Sequence, residues 1–149
     1  MDPRAAHEAY VNKLVLVESV IGSGTTWLSD LERLGRRLFG AKFDGVYPSD
    51  RIPKLTDEGP YAIVNTDNSS EPGSHWVALC KNGNSILFYD SFGRPANRLV
   101  PSVKRSGNGR VVNTDMDAEQ GLLEQNCGAR CLAWLWVYDQ YGAGVAKMV

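Results

Sequence analysis

The chain has 149 residues, a net charge of −1, 43% hydrophobic and 22% charged residues, enough for one domain with a real core. No apolar run is long enough to span a bilayer, and the near-neutral charge gives no footprint of a nucleic-acid binder. The start, Met1-Asp-Pro-Arg-Ala-Ala-His-Glu8, carries no secretory signal, and three cysteines fit a reducing compartment better than a disulfide framework. Asn68-Ser-Ser70 matches a glycosylation sequon but is read as loop. The clusters Arg33/Arg36/Arg37 and Lys104/Arg105/Arg110 are read as solvated faces.

Residues 1–24 are set apart as an N-terminal extension or pro-segment, followed by one domain over 25–149. Tyr10 to Ile21 reads as a helix or an added strand, and Gly22-Ser-Gly24 as a flexible joint. Ser29-Asp-Leu-Glu32 is a capping box, and Leu28, Leu31, Leu34 and Leu38 follow at helical spacing, which predicts a helix over 28–39 ended by Gly40. Phe43 to Pro60, with three prolines, reads as an irregular loop, Tyr61 to Asn65 as a buried strand, and Thr66 to Ser74 as a polar loop. Pro95 to Val103 is expected to hold a short helix and Arg110 to Asn113 a further strand. Cys127 to Tyr141 reads as a core helix with Asn126 as its N-cap and an apolar stripe of Cys131, Leu132, Leu135, Trp136 and Tyr138. The class is α+β.

Between these lie Trp76 to Cys80 and Ser85 to Tyr89, two apolar strands that Asn82-Gly83 would join as a two-residue hairpin loop. Lys81 then faces Asn84 and His75 faces Asp90, with Cβ atoms roughly 5 Å apart. Both faces are apolar, so the hairpin is expected mid-sheet with cover on each side.

An imidazole beside a carboxylate invites a search for a nucleophile. Cys127 falls in the first turn of the last long helix, where the dipole and free amides lower a thiol pKa. His75 would be its general base, and Asp90 would hold the ring tautomer and support the imidazolium. The Cys127 N–H is one oxyanion donor; a side-chain amide would come from Gln120 or Gln125, and the residues alone favour neither. Gly128 would admit substrate backbone near the sulfur, and Trp76 would be both core aromatic and groove wall. Cys80 and Cys131 are read as core residues. No fourth ligand joins Cys127, Cys131 and His75, so neither a metal nor a cofactor is expected.

At these residues the chain resembles the adenovirus maturation protease (adenain) family. The matching strings are Ala62-Ile-Val-Asn-Thr66, Gly73-Ser-His-Trp76, Tyr89-Asp-Ser-Phe-Gly93, Gln120-Gly121 and Cys127-Gly-Ala-Arg-Cys131, and they run in consistent order across roughly residues 25–138. Phe43-Asp-Gly-Val-Tyr47 and Arg51-Ile-Pro53 also look like that family's N-terminal region. The resemblance implies a papain-like cysteine protease fold: a mixed, mostly antiparallel sheet flanked by helices, with a central catalytic helix. It implies a Cys127–His75–Asp90 triad and, because the family's oxyanion glutamine lies seven residues before the cysteine, Gln120 rather than Gln125. The implied task is cleavage of capsid and core precursor proteins after small residues, in the virion or the host cytoplasm or nucleus. Cleavage of SUMO- or ubiquitin-like modifiers and an inactive virion-binding role are the competing expectations. Adenain takes DNA and a peptide as activators; the neutral charge does not support DNA, and no cysteine matches the peptide-linked one. A peptide activator therefore stays open, and the protein is expected to act as a monomer. Residues 1–24 would be an activating strand fused in cis, or a pro-segment cut near Val20-Ile-Gly-Ser-Gly24.

Overall fold

A computed structural model describes residues 1–67, 70, 75–107, 110–114, 117–121 and 124–149. Most of the Asn68-Ser-Ser70 sequon and the Gly73-Ser pair of the loop before His75 lie outside them. The order is α1 (Pro3–Ile21), α2 (Leu28–Phe39), β1 (Phe43–Tyr47), β2 (Tyr61–Asn65), β3 (Trp76–Asn82), β4 (Ser85–Tyr89), α3 (Ala96–Leu99), β5 (Val111–Asn113), α4 (Cys127–Tyr141) and α5 (Ala143–Ala146). The architecture is α+β, a five-stranded mixed sheet in the order β1-β2-β3-β4-β5 with helices on both faces. It is not mostly antiparallel: β1 runs parallel to β2 and β5 parallel to β4, while the two central junctions are antiparallel. No helix among the described residues is long and apolar enough to cross a membrane.

Strand alternation divides the core. Tyr61, Ile63, Ala78, Cys80, Leu87 and Tyr89 face α1, α2 and α4. Ala62, Val64, Val77, Leu79, Ile86 and Phe88 face Leu55, Ala96, Val100 and Val103 on the other side. The hairpin strands are thus covered on both faces, as their doubly apolar pattern predicts.

The segment read as helix or added strand is helix. Asp2 caps it by accepting from the Ala5 N–H at 2.8 Å, with Pro3 in the first turn where its missing N–H costs nothing. Ala6, Tyr10, Leu14 and Val17 of α1 enter the same core as α4. Helix α2 has the predicted bounds, but its cap position is Trp27, so the Ser29 capping box lies inside the helix. Its buried row is Leu31, Leu34, Gly35 and Phe39, and Leu28 is half exposed. Gly35 is needed there, because an added Cβ would sit 2.6 Å from the Phe43 ring.

Three further expectations need correction. Phe43 to Tyr47 forms an edge strand rather than irregular loop; its parallel partner β2 supplies hydrogen bonds that a local reading of the Pro/Gly-rich stretch cannot see. Pro95 to Val103 is divided, with α3 followed by a 3-10 segment over Pro101–Ser106. The hairpin pairs Asn82 with Ser85, so Gly83-Asn84 is the loop and Gly83, at φ +60, takes its first position. Partners move by two residues, which keeps every side chain on its expected face but brings Val77, not His75, level with Asp90.

Candidate active site

Strand β3 begins and β4 ends at the same end of the hairpin, opposite its loop, so His75 and Asp90 meet there despite the changed register. They are diagonal neighbours on one face, and His75 Nε2 lies 2.5 Å from Asp90 Oδ1. The other oxygen of Asp90 accepts from the Arg94 backbone N–H at 3.0 Å and from Arg94 Nε at 2.9 Å. Gly93, at φ +74, makes this possible: its N–H closes a turn onto the Asp90 carbonyl at 2.8 Å and swings Arg94 back over the carboxylate. The Phe92 ring stands between, 5.3 Å from the His75 ring and 5.0 Å from the Arg94 guanidinium. Asp90 is held at both oxygens with its side chain fully covered.

With Nε2 turned to Asp90, Nδ1 is the ring nitrogen left for the thiol. Cys127 begins α4, and its sulfur interacts with the His75 side chain and with the N–H groups of Trp76 and Gly128. Burial opposes the thiolate, yet His75, those two N–H groups and the imidazolium charge together bring the Cys127 pKa below its ordinary value. Burial likewise opposes the imidazolium, and the hydrogen bonds to Asp90 and Cys127 override it, raising His75 from 6.5 to about 9. Asp90 follows the same logic: burial would raise it, while His75 and Arg94 hold it at about 2. All three directions favour a thiolate–imidazolium pair over a neutral one. The other two thiols contrast sharply, since burial pushes Cys80 up to about 12 and Cys131 well above the thiol range.

Gln120 is buried beside this group, with both ends of its amide held. Oε1 accepts from Ser91 Oγ at 2.5 Å, and Nε2 donates to the Glu124 carbonyl at 2.6 Å. A primary amide has a second N–H on the same nitrogen, and Gln120 lines the same cleft as Cys127. Gln125 also lines it but is exposed, its Oε1 accepting from Thr25 Oγ1 at 2.9 Å. The cleft has a volume of about 540 Å³. Trp76 and Phe92 line it, together with Thr25, Thr26 and Trp27 from the α1–α2 connection and Leu28 at the start of α2.

The structure brings Cys127, His75, Asp90, Gln120 and Trp76 together at one cleft, and gives Gly128 a different part. A Cβ added there would lie 2.9 Å from Thr26 Cβ and 3.1 Å from Leu31 Cδ2, so the glycine admits the chain's own Thr26 and Leu31 at close range. Asn126 does stand at the N-cap of α4, but its side chain makes no capping bond and turns to Arg130 and Glu18 instead. The residues not foreseen are Arg94, Phe92, Ser91 and the Thr25–Leu28 segment. Ser91 and Phe92 stand in the string Tyr89-Asp-Ser-Phe-Gly93 but carry no role there, and a turn, not a helix, brings Arg94 back to Asp90. Among the described residues no three His, Cys, Asp or Glu side chains group as metal ligands.

Chemically, the set offers a thiol whose ionisation is favoured, a ring that favours carrying the proton beside it, a carboxylate fixing that ring, and amide donors at the same cleft. No protein-family model matches the chain, and no curated protein matches it either.

Proposed function

We propose that the protein is a cysteine endopeptidase. The observation that carries this is the position of His75, held between the buried Asp90 carboxylate and a thiol at the start of a helix, with a buried amide alongside. In the proposed cycle the Cys127 thiolate attacks the scissile carbonyl carbon, and the carbonyl electrons move to oxygen. The Cys127 N–H and the Gln120 Nε2–H stabilise that oxyanion. His75 then gives its Nδ1 proton to the amide nitrogen; the C–N bond breaks, the amine leaves and a thioester remains. Neutral His75 next takes a proton from water as the water oxygen attacks the thioester. The C–S bond breaks, the acid leaves, and the thiolate–imidazolium pair returns.

On the strings shared with the adenain family, we take the substrates to be structural precursor proteins of a virus, cut after small residues. A cleft of about 540 Å³ has room for several residues of a peptide. The experiment compares hydrolysis of short glycine-containing peptide amides with that of a ubiquitin-like modifier joined to a fluorophore. Cleavage of the peptides, abolished by Cys127→Ala, is the expected result. Turnover of the modifier conjugate alone would replace this reading with an isopeptidase, and absence of both would remove the enzymatic reading.

A further inference from the structure

Arg130 lies on α4 one turn beyond the thiol, almost fully buried, where a guanidinium is tolerated only if its N–H groups find acceptors. All three nitrogens do. Nε donates to Asn126 Oδ1 at 3.0 Å, Nη1 to the Tyr10 hydroxyl at 3.0 Å, and Nη2 to Glu124 Oε2 at 3.1 Å. The Tyr10 hydroxyl continues to the Tyr89 hydroxyl at 2.7 Å, and Tyr89 to Glu119 Oε2 at 3.4 Å. The network therefore grips the chain on both sides of Gln120, at Glu119 before it and at Glu124 and Asn126 after it. Glu124 is the residue whose carbonyl takes the Gln120 amide, and its carboxylate also accepts the Gly121 N–H at 2.7 Å.

We propose that Arg130, with Tyr10 of α1 behind it, is a positioning residue for the oxyanion donor, fixing Gln120 through Glu124. This rests on the proposed peptidase function. It makes α1 a part of the catalytic apparatus through Tyr10, although no residue of α1 lines the cleft. Geometry separates the role from that of the ion pair. Asp90, Arg94 and His75 form their own hydrogen-bonded group, and Arg130 bonds to none of them.

That separation gives the test. Alkylation of Cys127 by iodoacetamide needs the thiolate but develops no oxyanion on a carbonyl, whereas peptide hydrolysis and capture by a peptide aldehyde need both. In Arg130→Met, kcat for a peptide amide should fall about ten- to hundred-fold with KM nearly unchanged, and aldehyde affinity should fall in step. The alkylation rate and its pH midpoint should stay within about two-fold of wild type. Tyr10→Phe, which removes one hydroxyl and keeps the ring, should move the same quantities the same way by a smaller factor, and serves if the first variant does not fold. An unchanged kcat overturns the proposal, as does an alkylation rate that falls in proportion to kcat. Should the wild-type protein hydrolyse no peptide, the peptidase reading fails by itself and hydrogen exchange decides this one. Faster exchange of the Gln120 and Gly121 amides in Arg130→Met supports positioning, and unchanged exchange refutes it.

Discussion

Replacing Asp90 with asparagine keeps the shape of the side chain and removes its charge. In the native chain, burial works against a charged His75, yet Asp90 first and Cys127 after it raise the ring from 6.5 to about 9. At about 1.4 kcal/mol for each pH unit, the imidazolium is favoured by about 3 kcal/mol over that of an ordinary histidine. Two partners supply this preference and also offset the cost of burial, so the share of Asp90 is at least on the order of 1–2 kcal/mol. Arg94 makes the substitution worse than a simple loss. Its Nε would keep the asparagine oxygen, turning the NH2 group toward His75 Nε2. A donor facing Nε2 forces that nitrogen to accept, which opposes the doubly protonated ring and confines the remaining proton to Nδ1. The alkaline limb of kcat/KM, expected near the His75 value of about 9 in the native chain, should move down by about one pH unit or more. The plateau kcat should drop by about a hundred-fold or more as control of the tautomer is lost. The assay is a pH–rate profile on a short peptide amide from about pH 5 to pH 10, with a melting curve confirming the fold. An alkaline limb that stays in place with undiminished turnover would refute the reasoning.

Gln120→Ala should lower kcat by about 10²- to 10³-fold while KM changes little, read by steady-state kinetics on the same peptide. Gly128→Ala should destabilise the protein by about 1–3 kcal/mol in urea unfolding, because the new methyl meets Thr26 and Leu31 and α4 cannot retreat from its core. Trp134→Ala should cost about 3–5 kcal/mol in the same assay, since the buried ring stacks on Tyr89 at 5.3 Å and its N–H donates to the Ala146 carbonyl at 2.9 Å. Stability should also vary with pH in a window set by His75. Its folded pKa is raised, so its contribution is complete below pH 6.5 and fades as pH rises through about 9. Cys127, whose folded pKa is lowered, acts in the opposite sense, so the melting temperature should decline across that interval in Cys127→Ala, where the His75 contribution stands alone, and decline less in the native chain.

The site was legible in the sequence because it depends on parity more than on register. The Asn82-Gly83 pair suggested a loop one residue too early, yet any hairpin displaced by two keeps His75 and Asp90 on one face. Cys127 was legible because the start of α4 is marked by a polar residue ahead of a long apolar run. What was not legible came from distant partners. Strand β1 exists because β2 lies beside it, and the cleft lining at Thr25–Leu28 exists because α1 packs on α4 and carries the connection past the thiol. Asn126 looked like a helix cap and stands at the cap position, but buried Arg130 claims its oxygen. Arg130 itself gave no sign; a lone arginine inside an apolar helix reads as a surface residue until Tyr10 and Glu124 are seen around it.

The proposed function requires Cys127 to be ionised beside His75 while Cys80 and Cys131 stay thiols. Site-resolved alkylation of the folded protein with iodoacetamide, followed by mass spectrometry across mildly acidic to neutral pH, addresses it directly. Cys127 should react rapidly even at mildly acidic pH and lose that advantage in His75→Ala, with the other two thiols nearly inert until unfolding. Comparable slow labelling of all three cysteines, or a Cys127 rate indifferent to the loss of His75, would contradict the account.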